Sequence, residues 1–190
     1  MEEASVERAP DVRTLTLEAY ADTVIPGEKR WPGDRAIAGV STGGGAVQAG
    51  ALAVLDMPEG GMAPALDDVV AALNIHAENY RDRVGLPADE EVPAFTALPW
   101  SDRTALLNEL TAVGHPEKEL WTGLALFCYM AFDTGAHLST VEAIADGHPG
   151  LTLMRFETPD TDGLWRFPDY SYRRPLSKLH PDTLENGSLK

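Results

Sequence analysis

Cysteine is nearly absent from this chain of 190 residues: Cys128 stands alone. A single thiol excludes an intramolecular disulfide and a thiolate metal cluster. Long apolar runs are missing too, and the longest, residues 124–132, is about half the ~18 residues that span a bilayer. Basic residues are scarce, 15 Lys and Arg against 30 Asp and Glu, for a net charge of −15. A field of that sign repels nucleic-acid phosphates and anionic lipid, so neither nucleic acid nor a membrane is an expected partner. The first residues, from Met1 to Arg8, are acidic and lack the apolar core of a secretory signal. A redox-indifferent protein of the cytoplasm is the resulting expectation. Neither a GxGxxG nor a GxxxxGK[ST] phosphate loop occurs, and no GxSxG elbow or HExxH pair is present, so no cofactor is expected.

What the sequence does carry is helical periodicity. Leu17, Tyr20, Ala21, Val24 and Ile25 repeat at the spacing of a helix with one buried stripe, with Thr14 or Thr16 as cap and Pro26-Gly27 as stop. A polar loop, 27–35, and the glycine-rich run 39–45 lead into small apolar residues, 46–55, that predict a tightly packed helix. Over 65–84 the residues Leu66, Val69, Val70, Leu73, His76, Ala77 and Tyr80 share one face, and Gly85 ends the pattern. Ser101 is placed to cap a shorter helix carrying Leu106, Leu107, Leu110 and Val113. The longest helix is predicted over 117–145. Its middle, 123–132, is apolar all round, the mark of a helix buried at the centre of a bundle. Strand-like alternation is confined to the short run 151–156.

The fold class predicted is therefore all-α: a compact bundle of about five helices around a buried central one, with an irregular aromatic and proline-rich C-terminal tail. Residues 1–13 read as a flexible N-terminal tail, 14–150 as the bundle and 151–190 as a wrapping tail. One domain fits the length.

Few residues offer chemistry. Asp133 and His137 lie four apart, hence on one helical face, and a carboxylate that fixes an imidazole's tautomer suits general acid–base work. His76 and Tyr80 repeat the spacing on the 65–84 helix, His76 within the apolar stripe. These four form the candidate catalytic set, set against the plainer reading of a helix-stabilising pair and a satisfied core histidine. Dimetal bundles use Glu-x-x-His pairs, which neither long helix carries, and no metal site is assigned. Cys128 reads as an inert core thiol, and the glycines 43–45 as a turn or a close helix contact rather than a phosphate cradle.

The C-terminal segment concentrates Trp165, Phe167, Tyr170, Tyr172 and Arg173, residue types enriched at interface hot spots. These are the candidate partner-binding residues. The alternative is a segment that closes the edge of its own bundle.

The stretch Leu17-Glu18-Ala19-Tyr20-Ala21-Asp22-Thr23-Val24-Ile25-Pro26-Gly27, followed by Pro32-Gly33 and Ala38-Gly39-Val40, resembles the small subunit of gluconate 2-dehydrogenase. That family reads "LADTIIPG" and then "PGA…AGV", and its "GYPG" has a counterpart in Gly147-His148-Pro149-Gly150. The segment GLWRFPDYSY is similar to small bacterial proteins of unassigned role, encoded beside flavin-dependent glucose-methanol-choline oxidoreductases and natural-product enzymes. The resemblance implies a non-catalytic protein that docks on a flavoprotein oxidoreductase. The twin-arginine export signal typical of that small subunit is missing, so an escort role in export is not expected. The rival expectation is a cofactor-independent cyclase, dehydratase or isomerase. It would hold an apolar small molecule in a bundle pocket, with Asp133 and His137 moving a proton and His76 or Tyr80 orienting the substrate.

Overall fold

A computed structural model of the chain describes residues 11–133 and 139–156. The chain divides after Phe156, and every described residue belongs to the first unit, Met1–Phe156. The described residues form eight α-helices: α1 (Val12–Val24), α2 (Ala51–Leu55), α3 (Leu66–Val84), α4 (Ala94–Ala97), α5 (Trp100–Leu110), α6 (Lys118–Met130), α7 (Thr140–Ala145) and α8 (Pro149–Leu153). Short 3-10 turns at Pro58–Gly60 and Ala63–Ala65 lead into α3. No strand occurs among the described residues, and the fold is all-α.

The central helix is α1, not the predicted 117–145 segment. It packs against α2, α3, α4, α5 and α6, and every residue from Thr16 to Thr23 is buried. Five of those eight positions, Thr16, Glu18, Tyr20, Asp22 and Thr23, carry polar side chains, and each has a bonding partner. The Tyr20 hydroxyl donates to the Trp121 carbonyl at 2.7 Å, the Thr23 hydroxyl to the Ala19 carbonyl, and Thr16 accepts from the Asn74 amide. Hydropathy alone underrates such a helix, because satisfied polar groups are buried at little net cost. Its N-cap is Asp11, whose carboxylate accepts the Thr14 amide, so the helix starts inside the segment expected to be a flexible tail.

Residues 117–145 are not one helix. α6 ends at Met130, residues 131–133 turn, and Ser139 opens α7 with a reciprocal Ser139–Glu142 capping box. That S-x-x-E signature was present in the sequence and marks a helix start. Nor is α6 buried all round: Trp121, Leu124 and Cys128 face the core, while Leu126 and Tyr129 are each 57% exposed. The longest helix among the described residues is α3, which buries the predicted stripe apart from half-exposed His76 and ends at Gly85 in the left-handed region, φ +75°.

Three smaller expectations also change. Pro99, not Ser101, occupies the N-cap of α5, and Val113 beyond its end is exposed. The helix expected over 46–55 covers only Ala51–Leu55, after a turn at 46–50. The run 151–156, expected in strand-like or irregular form, begins with the end of α8, whose N-terminus is capped by His148. α8 sits tightly against the end of α6, for a Cβ on Gly150 would come within 1.9 Å of the Ala131 carbonyl oxygen.

Within the glycine run 43–45, Gly45 is the residue that serves close backbone approach. Glu28 donates its amide to the Gly43 carbonyl and Ala46 donates to the Ile25 carbonyl, pairing two backbone segments. A Cβ on Gly45 would meet the Ile25 oxygen at 2.4 Å and the Gly27 nitrogen at 2.5 Å. Gly45→Ala is therefore expected to destabilise the protein by about 1–3 kcal/mol, as overpacking does against rigid backbone. Gly123, inside α6, has nothing within 4 Å of its Cβ position. Gly123→Ala should instead stabilise by roughly 0.5–1 kcal/mol, because alanine is the better helix former. Thermal melts of the two variants should move in opposite directions.

Candidate functional site

Among the described residues, a dense buried polar cluster lies where α1 meets the loop 26–38. Glu18 and Asp22, one turn apart on α1, both face that loop. Asp22 accepts two peptide N–H groups, from Gly27 at 3.0 Å and from Ala38 at 2.8 Å. Glu18 takes both terminal nitrogens of Arg30 at 2.5 and 2.7 Å. Arg30 also reaches both carboxylate oxygens of Asp34, at 2.8 and 3.2 Å, and Asp34 accepts the Ile37 amide. From the other side, Arg103 of α5 donates to the carbonyls of Arg35, Ala36, Thr96 and Leu98. Asp22 and Asp34 are each 1% exposed and Arg103 is 4% exposed.

Electrostatics follow from that burial. Desolvation raises the pKa of Asp22 against the pull of its two amides and the nearby Arg103 charge. Burial likewise opposes ionisation of Asp34, yet the Arg30 hydrogen bond and the Ile37 amide hold its pKa below the ordinary value. Burial lowers the Arg103 guanidinium to about 10 although Asp22 and Asp34 favour its charge. The Glu18 hydrogen bond raises the pKa of Arg30. All these charges are engaged in bonds that close a loop, and their chemistry is structural. None of Glu18, Asp22, Arg30, Asp34 and Arg103 falls in a motif that marks chemistry in the sequence. The readable signal was two acids one helical turn apart, followed by an arginine and an aspartate at the same spacing in a loop.

His76 and Tyr80 do not act as a pair. The His76 ring nitrogen Nε2 lies 2.7 Å from the Glu117 carboxylate, which also accepts the Trp121 indole N–H at 3.1 Å. His115 approaches the His76 ring edge-on, with centroids 6.1 Å apart. The His76 bond, then the Trp121 bond, lower the pKa of Glu117. Tyr80 instead donates to Asp102 of α5 at 3.0 Å, while Arg83 lies over its ring; burial and then the Asp102 bond raise its pKa. His76 and Tyr80 thus tie α3 to the start of α6 and to α5 respectively. Asp133 is exposed, just beyond the end of α6. His137, Trp165, Phe167, Tyr170, Tyr172 and Arg173 lie outside the described residues. Among the described residues no group of three His, Cys, Asp or Glu side chains is placed to hold a metal ion. Burial pushes the Cys128 thiol up to about 12, in keeping with an inert core thiol.

Two surface troughs flank the loop 86–93. One, of about 770 Å³, runs between that loop, α3 and the first turn of α1; the other, of about 620 Å³, lies between the loop and the approach to α5. Neither is lined by Asp133, His76 or Tyr80. No described helix is long and apolar enough to cross a membrane.

The structure defines a class: an all-helical domain whose buried charges hold one loop against a central helix. The profile of a family of unknown function, DUF5987, matches residues 11–190, and the chain belongs to that family. No curated protein and no solved structure matches it.

Two tests concern the buried cluster. An asparagine at position 22 would turn its NH2 toward one of the two amides, leaving a buried N–H unpaired. Asp22→Asn should cost about 1–3 kcal/mol, measured by chemical denaturation. The second is pH dependence. The pKa values of Asp34 and Glu117 are lowered from ordinary values of 3.8 and 4.5, so the stability they lend is present above those values and is lost as the pH falls through the lower folded ones. Asp22, shifted upward, acts with the opposite sign and offsets part of that loss. The melting temperature should decline below about pH 4.5, and Asp34→Asn should make the decline shallower; an unchanged slope would contradict this account.

Proposed function

We propose that this protein is a non-catalytic accessory protein that docks on a flavin-dependent oxidoreductase in the cytoplasm, within natural-product biosynthesis. The observation that carries the reading is the outward row on α6. Leu126, Tyr129 and Met130 stand 57, 57 and 40% exposed at a spacing of three and four residues, an apolar strip along one helical face. Tyrosine and methionine are enriched at interfaces between proteins. The resemblance of residues 17–40 to the small subunit of gluconate 2-dehydrogenase supplies the kind of partner. Trp165, Phe167, Tyr170, Tyr172 and Arg173 supply a second set of interface residue types.

The placement of the catalytic candidates gives the rival enzyme reading less support. Asp133 is exposed, and His76 and Tyr80 are bonded to different helices rather than turned toward one substrate space.

Co-expression with a glucose-methanol-choline oxidoreductase tests the proposal. The two chains are expected to elute together on gel filtration. Leu126→Glu with Tyr129→Glu should reduce the co-eluting fraction by ~10-fold or more, since hot-spot loss exceeds ~1.4 kcal/mol per interface. A chain that elutes alone while the oxidoreductase keeps its solubility and activity would overturn the reading.

A further inference from the structure

We propose that the trough between α3, the loop 86–93 and the first turn of α1 receives an extended, arginine-bearing segment of a partner polypeptide. Its long wall is one stripe of α3. Asp67, Asn74, Glu78 and Arg81 follow one another at helical spacing along it. From 67 to 81 the helix rises ~21 Å at ~1.5 Å per residue, which matches about six residues of extended chain at ~3.4 Å each. Val70, Ala71, Pro93 and Ala94 supply apolar surface, and the space amounts to about 770 Å³. That shape suits a peptide laid lengthwise better than a compact ligand.

Charge identifies what the peptide carries. Four carboxylates line the trough, those of Asp67, Glu78, Asp89 and Glu90, against the guanidinium groups of Arg13 and Arg81. Both cations are already engaged: Arg13 with Asp56 and Asp67, Arg81 with its neighbour Asp82. Asp89 is held by Arg35. Glu78 and Glu90 remain, exposed and without an ion-pair partner among the described residues, and they set the sign of the field inside. The net charge of −15 reinforces it and repels anionic alternatives. A guanidinium suits both positions, because its planar fork pairs with a carboxylate through two hydrogen bonds while its stem covers apolar surface. None of the lining residues belongs to α6, so the site stands whether or not the α6 row meets an oxidoreductase.

Fluorescence anisotropy with labelled synthetic peptides tests the assignment. The probe is a ~10-residue peptide alternating arginine with alanine, long enough to exceed the extended span, and the control replaces arginine by glutamate. The arginine peptide is expected to bind with a Kd on the order of 10–100 μM and the glutamate peptide not to bind. Glu78→Lys with Glu90→Lys should weaken binding by ~10-fold or more, whereas reversing exposed Glu119 and Asp146 elsewhere should change it by no more than ~2-fold. Ala71→Trp, which fills the trough without altering charge, should abolish binding. Absence of binding by the arginine peptide would overturn the proposal. So would equal weakening by the two reversed pairs, which would mean diffuse attraction to an acidic chain, or full binding to the Ala71→Trp variant.

Discussion

The peptide N–H groups of Gly27 and Ala38 converge on one carboxylate, that of Asp22, from opposite ends of the same loop. A buried carboxylate needs several donors to offset its desolvation, and here the donors are the loop's own backbone. The requirement works in both directions. Asp22 is tolerable in the interior because the loop closes on it, and the loop closes because Asp22 offers two acceptors. Glu18, Arg30 and Asp34 extend the same arrangement outward, and Arg103 completes it from α5 by satisfying carbonyls that would otherwise be orphaned. The position of α1 at the centre of the fold depends on this exchange.

The all-helical character and much of the core were legible in the sequence. The face of α3 carrying Leu66, Val69, Val70, Leu73, Ala77 and Tyr80 is buried as its spacing implied, because that helix follows simple two-sided amphipathicity. The identity of the central helix was not legible from hydropathy. Residues 123–132 are more apolar than α1, yet Leu126 and Tyr129 face outward while Glu18 and Asp22 face inward. Apolar content reports the cost of exposure, whereas burial of polar groups depends on partners distant in sequence. Arg103 lies far along the chain from the loop it holds, and periodicity cannot register that pairing. The break near the end of α6 was legible in principle, in Ser139 and Glu142.

The candidate site was less legible still. His76 sits on the apolar stripe, as read, but its partner is Glu117 of the next long helix rather than a residue of a catalytic set. Tyr80 shares its helical face and turns to Asp102. The titratable groups of the interior are thus spent on closing a loop and joining helices, while an apolar row on α6 and an acidic trough beside α3 face outward. One small domain thus presents two unlike surfaces, one apolar and one charged.

Arg103 carries a further consequence. One planar cation is bonded to carbonyls at 35–36 and at 96–98, two segments joined by no shared helix. Segments linked through a single buried group gain and lose order together. The loop beside α1 and the corner between α4 and α5 therefore belong to one cooperative unit. Opening of either segment should weaken the hold on the other, and amide-exchange protection should change together across both.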